Sequence, residues 1–318
     1  MKDVEDVLLG ALLVAALVCG LVSGASRAQQ PSSAGQTRKT GLELLVLGSG
    51  GPRAFGRGAT CYVVLVDGAP RILVDAGAGA FVESGKLGLD LEAMDIVLLT
   101  HLHIDHSSDL PAVFNERALK ASDRIRFRVF GPDGAGLFPS TTRFLHLLFD
   151  KGGAYEYQKT FGAEESIAGT DLPIALDSPE REIVSEGDLH VREIATHHGD
   201  CPSVAYRVEY RTASITFAGD MDASAIPNLE RLARKTSLLV VHAAVVDPPG
   251  DPEILYTLHT APRTLGQAAR AAGVKNLLLS HLPPDVERQR AAVLGSIRAS
   301  FKGPVTLARD GLRVAVPD

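Results

Sequence analysis

The sequence predicts an α/β fold, sheets covered by helices within one contiguous domain, and three observations predict it. Short runs rich in β-branched and apolar residues recur from Leu42 onward, at strand length. Helical patterns of longer period fall among them. The composition, 45% hydrophobic and 22% charged, is that of a chain able to bury a sizeable core rather than a disordered one.

Taken in order, the chain opens on an acidic stretch, MKDVEDV, and an uncharged apolar run from Val7 to Ala25. A polar segment follows, with Ser26-Arg27-Ala28 as a small-x-small cleavage site. Residues 1–28 are therefore expected to be a signal peptide or an N-terminal anchor, since a run of this length also suffices to span a bilayer. The expected location is periplasmic or secreted, with a membrane-anchored form facing the periplasm as the alternative. Residues 29–41 read as a linker rich in Gln, Ser, Gly and Thr. The domain is expected to occupy 42–318. Strands are expected at 42–47, 61–66, 71–74, 96–99, 125–130, 189–195, 203–210, 214–218, 238–241 and 276–279. Helices are expected at 110–121, 141–150, 228–234 and 261–272. Between them, 134–185 has no clear period and scatters aromatic residues from Phe138 to Phe161; it reads either as an insertion capping a site or as a surface subdomain. Cys61 and Cys201, the two cysteines beyond the leader, are either small buried thiols or a pair. A net charge of −6 offers no global attraction to nucleic acid.

The chemistry is concentrated where strand 96–99 ends, in Thr100-His101-Leu102-His103-Ile104-Asp105-His106. Three imidazoles and a carboxylate are costly to bury without partners, but together they form the nitrogen and oxygen donor set of a zinc-type cation. In an extended segment His101 and His103 share one side, and a following turn can bring Asp105 and His106 to a second position.

This HxHxDH at the end of an apolar strand resembles the signature of the metallo-β-lactamase superfamily, and further residues in order resemble its other ligands. His198 in THHGDCPSVAYR is similar to the isolated histidine that precedes a Tyr-Arg pair in the tRNase Z and arylsulfatase-like or phosphodiesterase-like branch. Asp220 in ITFAGD resembles the carboxylate that bridges two metals, and His281 in NLLLSH the last ligand. The resemblance implies a four-layer αββα sandwich, two mixed sheets flanked by helices. It also implies two divalent metal ions, zinc foremost with Mn2+ or Fe2+ as alternatives. His101, His103 and His198 would hold one, Asp105, His106 and His281 the other, with Asp220 between them. Two such cations about 3.5–4 Å apart can generate a hydroxide and clamp the developing charge on an ester oxygen. Asp105 would then hold the nucleophile and take its proton. His197 is the alternative to His198. His259, before the last long helical pattern, resembles a histidine that stabilises the transition state or protonates the leaving group; a helix-end histidine without chemistry is the other reading. Asp75 in ILVDAG is expected either to orient a ligating histidine or to form a turn. LGSGGPRAFGRG resembles the family's first loop, and its glycines also suit backbone packed beneath a metal site.

The expected activity is hydrolysis of a small-molecule ester-type bond: a sulfate ester, phosphodiester, carboxylic ester or lactone. Where the tRNase Z branch has His-Glu-Ala-Thr, this chain has His242-Ala243-Ala244-Val245, so RNA processing and a nucleic-acid partner are not expected. Zinc β-lactamases generally lack the bridging aspartate, which ranks antibiotic hydrolysis lower. The alternatives are a zinc β-lactamase, a tRNase Z-like endoribonuclease and a non-catalytic exported metal-binding protein. Membrane contact is expected only through an uncleaved N-terminal segment, and a homodimer is left open.

Overall fold

The computed structural model describes residues 41–317 except 54, 121–124 and 161–164. The expected leader and nearly all of the expected linker lie outside these residues. No helix among the described residues is long and apolar enough to cross a membrane.

Fourteen strands among the described residues form two seven-stranded mixed sheets. The first holds β1 (Leu42–Gly48), β2 (Cys61–Val66), β3 (Ala69–Val74), β4 (Ile96–Leu98), β5 (Ile125–Pro132) and β6 (Glu165–Leu172). The second holds β7 (Arg181–Glu186), β8 (Leu189–His198), β9 (Cys201–Tyr210), β10 (Ala213–Phe217), β11 (Leu238–His242), β12 (Asn276–Ser280) and β13 (Val305–Leu307). The last strand, β14 (Arg313–Val316), returns to pair with β1 at the edge of the first sheet.

Helices cover both outer faces. α1 (Ala80–Lys86), the single turn α2 (Ile104–Ser107), α3 (Leu110–Lys120) and α4 (Thr141–Phe149) accompany the first sheet. α5 (Ile226–Leu232), α6 (Glu253–Tyr256), α7 (Pro262–Ala271), α8 (Pro284–Arg288) and α9 (Arg290–Ser300) accompany the second. This is the expected αββα sandwich. It also explains why β1 reads as a continuous apolar run: Leu42, Leu44 and Val46 enter the core between the sheets, while Leu45 and Leu47 enter the core beneath the first helical layer. A third core, with Leu229, Leu265, Leu277 and Ile297, lies under the second helical layer.

Residues 134–185, read from sequence as a cap or subdomain, are woven into the sandwich instead. They include α4, all of β6, which pairs in parallel with β5, and most of β7, which pairs with β8. Composition concealed this because both are edge strands, whose order comes from one neighbour's backbone rather than from a buried apolar stripe of their own. Tyr206 and Val204 bind the two sheets where the site begins: the Tyr206 hydroxyl donates to the Leu99 carbonyl at 2.9 Å, and the Val204 N–H to the Thr100 carbonyl at 2.9 Å. Cys61 and Cys201 are both buried free thiols.

Candidate metal centre

The parallel strands β4, β11 and β12 and the neighbouring β10 all end at one edge of the sandwich, and each is followed within a few residues by a chemically active side chain. β4 leads into His101, His103, Asp105 and His106; β10 leads to Asp220; β11 ends in His242; His281 follows β12. β8 supplies His198 as its last residue. Side chains gather here because strand carboxyl ends are where a parallel sheet releases its chain to loops.

These residues converge on one atom. Asp220 Oδ2 lies 3.9 Å from His101 Nε2, 3.7 Å from His106 Nε2, 3.6 Å from His198 Nε2 and 3.4 Å from His281 Nε2. His101 Nε2 and His103 Nδ1 are 3.1 Å apart, close to the roughly 3.3 Å that two tetrahedral nitrogen ligands on one zinc require. Asp105 Oδ2 stands 3.2 Å from His281 Nε2 and 3.6 Å from His106 Nε2. Every residue expected to bind metal is therefore in the cluster, in two groups that meet at Asp220.

The surroundings fix which ring nitrogen faces inward. His106 Nδ1 donates to Asp75 Oδ2 at 2.9 Å, and His198 Nδ1 donates to the Leu258 carbonyl at 2.7 Å. Thr100 Oγ1 donates to Asp75 Oδ2 at 2.8 Å, which leaves the Thr100 hydroxyl oxygen to accept from His101 Nδ1 at 3.1 Å. In each case Nε2 is left as a lone pair pointing inward. His106 Nε2 is buried and has no hydrogen-bond partner. Lone pairs aimed at a carboxylate repel unless a cation or protons lie between them, so the donor set fits a metal.

The electrostatics agree. Burial pushes His101 and His103 down, as neutral ligands require. Burial also opposes charge on His106 and His281, yet Asp75 and Asp220 raise the first, and Asp220 and Asp105 raise the second. Asp220 is penalised by burial, but His281 and His259 hold its carboxyl well below the usual range. Burial likewise works against Asp105, and His281 and His106 overcome it. The cavity is thus anionic at its focus and draws in positive charge.

Two buried residues hold strained backbone here. Asp75 has φ 55° and His281 φ 58°, left-handed values that a non-glycine residue adopts at a cost of about 1–3 kcal/mol. Asp75 uses this conformation to accept from both the Thr100 N–H, at 2.7 Å, and His106. It orients a histidine, the first of the two expectations for it. Gly51 passes directly beneath His281: a Cβ there would stand 2.5 Å from the ring's Cε1. The first loop's glycines therefore serve close packing under the site. Gly199, at φ 57°, similarly lets the chain turn after His198 against Leu258.

Adjacent histidines on β8 face opposite ways, as strand geometry demands. His198 is buried in the cluster, whereas His197 turns out to Asp222 Oδ2 at 2.5 Å. The Tyr-Arg pair after it is structural: Tyr206 locks the sheets together, and Arg207 holds Glu209 and the carbonyls of Leu232 and Arg234. His259 borders the cluster, with Nδ1 buried, unpartnered and 4.0 Å from Asp220 Oδ1. Burial, reinforced by His281 and His198 against the pull of Asp220, pushes it down to about 4.

His242 is the member that sequence reasoning missed. Its Nδ1 donates to Asp220 Oδ1 at 2.6 Å, and its Nε2 meets the Tyr62 hydroxyl at 3.1 Å. It lies close enough to His106, Asp220 and His281 to share a metal with them. With both nitrogens engaged, however, its role is to hold the Asp220 carboxylate. The available signal was its place at the end of β11, between the strands that lead to Asp220 and His281.

Comparison with known proteins agrees with this geometry. Residues 70–282 match the β-lactamase superfamily domain. The chain belongs to that superfamily, in its metallo-β-lactamase form, and is a metal-dependent hydrolase with a centre for divalent cations. It is 27% identical over 285 residues to ribonuclease Z of Mycobacterium sp. (strain KMS), covering 86% of this chain and 96% of that one. Its fold is similar to human tRNase Z, short form, with TM-score 0.67, 20% identity and coverage of 87% and 100%. It is also similar to a diphosphatase of the PhnP family, with TM-score 0.57, 17% identity and coverage of 87% and 98%. The expectation that nucleic acid is not a partner runs against the ribonuclease names of these relatives.

Proposed function

We propose that this hydrolase is a dinuclear, dizinc phosphodiesterase of the ribonuclease Z side of its superfamily. The observation that carries the proposal is the placement of Asp220 Oδ2 within 3.9 Å of four imidazole nitrogens drawn from both ligand groups. His101, His103 and His198 would hold one cation, and Asp105, His106 and His281 the other, with Asp220 shared. Divalent cations bound there polarise a phosphoryl oxygen and make water nucleophilic near neutral pH.

The protein's own residues do the rest. Asp105, at the wall of the cavity, holds the attacking water and accepts its proton. His242 and Tyr62 keep the Asp220 carboxylate in place, and Asp75 keeps His106 in its ligating tautomer. His259, on the wall of the neighbouring cavity, reaches the phosphoryl or leaving-group oxygen. A phosphodiester is favoured over a sulfate, carboxylic ester or lactone by the relatives, which are ribonucleases Z over nearly their whole length, and by an arginine on that same wall. Endoribonuclease action is the second reading. The same relatives favour it, while Ala243 stands where the branch carries a glutamate.

The test is metal stoichiometry on the purified chain lacking residues 1–28, alongside hydrolysis assays. The substrates are bis(p-nitrophenyl) phosphate, p-nitrophenyl sulfate, a lactone, nitrocefin and a tRNA precursor with a 3′ extension. The expected result is two metals per chain and turnover of the phosphodiester, lost in Asp220→Ala. Turnover indifferent to Asp220, or fewer than one metal per chain, would sink the reading. Cleavage of the precursor at its 3′ side would establish the second.

A further inference from the structure

We infer that the loop between β1 and β2 carries a nucleoside subsite beside the metal centre, with Phe55 as the stacking face for a base and Arg53 as the contact for a phosphate oxygen. This rests on the phosphodiesterase reading above and names its substrate class: an ester of a nucleoside phosphate.

A cavity of about 170 Å3 runs from His259 and His281 outward to Arg53 and Phe55. Two arginines line it, and they differ in what is left to bind. Arg57 donates to Ser49 Oγ at 2.6 Å and to the Ala308 carbonyl at 3.0 Å, and it pairs with Glu287. It is committed to the protein. Arg53 has no carboxylate partner among the described residues; its guanidinium lies over the Phe55 ring, 4.7 Å from the centroid. The two carboxylates on the same wall are occupied, Asp251 by the Val246 N–H at 2.8 Å and Asp285 by Arg288. Arg53 is therefore the cation on this wall available to an anionic ligand.

Phe55 is 48% exposed at the mouth of this cavity. One face of the ring is covered by Arg53, and an arginine–aromatic pair is a surface on which nucleobases stack in a sequence-tolerant way. The loop is anchored at its base. Gly50 N–H donates to the Gly58 carbonyl at 2.8 Å, and Asp310 accepts from the N–H groups of Ser49 at 3.0 Å and Gly58 at 2.7 Å. Arg53 and Phe55 are thus presented from a fixed stem at the rim of the centre, where a base attached to the reacting phosphate would lie.

The experiment compares two esters with the same leaving group on the metal-loaded chain: thymidine 5′-(p-nitrophenyl phosphate) and methyl p-nitrophenyl phosphate. The unaltered chain should prefer the thymidine ester in kcat/KM. Phe55→Ala should reduce that preference about tenfold, mostly through KM, as loss of one base stack does. Phe55→Trp should keep it, and Arg53→Ala should raise KM for both esters. Turnover of both esters with no preference, or a preference unmoved by Phe55→Ala, would overturn the subsite and leave the phosphodiesterase reading standing. Should neither ester be turned over, that reading fails, and calorimetry decides the subsite alone. Adenosine 5′-monophosphate binding about tenfold tighter than ribose 5-phosphate, with the difference lost in Phe55→Ala, would uphold it; equal affinities would overturn it.

Discussion

The two sheets follow one plan, three antiparallel pairings and then three parallel ones, yet they deliver their donors in different ways. The first sheet places His101, His103, Asp105 and His106 in one turn after β4, braced by Asp75 from the neighbouring β3. The second supplies one donor per strand end: His198, Asp220 and His281, with His242 behind Asp220. The first half is a chelating turn that could form locally. The second half can only complete a site once three separate strands have been assembled. Metal bound between them would act as a cross-sheet bond, and the carboxylate that both groups approach should matter more than any single histidine.

That difference sets the largest expected effect. Asp220→Ala should lower kcat/KM by roughly 10^3-fold or more, because it removes the carboxylate shared by both ligand groups. Elemental analysis should then find the bound metal reduced by about half or more. Chelation of the unaltered protein should lower Tm by about 5–15 °C, as expected for loss of a ligand that binds only the folded state. A Tm indifferent to chelator would mean that the sheets do not depend on the metals.

Next come the two braces, one from each half. Asp75→Ala should weaken zinc affinity by about 10–100-fold, since it frees His106 and Thr100 together. His242→Ala releases one oxygen of Asp220 and should cost less. Competition with a chromogenic zinc chelator measures both, and a larger loss in His242→Ala would reverse the ranking of the halves. His259→Ala should reduce kcat by about 10–100-fold with metal content intact, whereas His198→Ala should lose metal as well. An equal metal deficit in both would make His259 a ligand.

The same contrast explains what could be read from the sequence. The turn from Thr100 to His106 was legible because its chemistry is contiguous, and no folding role accounts for such a density of imidazole. Asp75 was legible as a polar residue ending an apolar strand. His198, Asp220 and His281 are single polar residues at strand ends and became candidates only through resemblance to a family. His242 stands at the histidine of a family motif, but the motif was weighed by the glutamate missing at Ala243, and the role of His242 exists only through the neighbours that β10 and β12 bring to it. In the fold, the buried strands announced themselves as apolar runs. The edge strands β6, β7, β13 and β14 did not, because one partner's backbone fixes them and their side chains are largely solvated. Helix α9 was missed for a related reason: Val293, Ser296 and Ile297 give it too narrow a buried stripe to show above a polar background.

The smallest expected effect lies in the second half but away from its donors. Gly266 on α7 packs against α9, where a Cβ would stand 2.5 Å from the Ile297 carbonyl oxygen and 2.9 Å from its Cα. Both contacts are backbone, so no side chain can swing aside, and α9 itself would have to move. Gly266→Ala gains a little helix propensity but should lose about 1–3 kcal/mol to overpacking, seen as a Tm lowered by several degrees. Metal content and kcat should stay unchanged, because α7 and α9 press on the outer face of the second sheet and contribute no donor. A fall in zinc affinity in this variant would show that the helical layer sets the positions of the strand ends, and that the second half of the site is adjustable where the first is rigid.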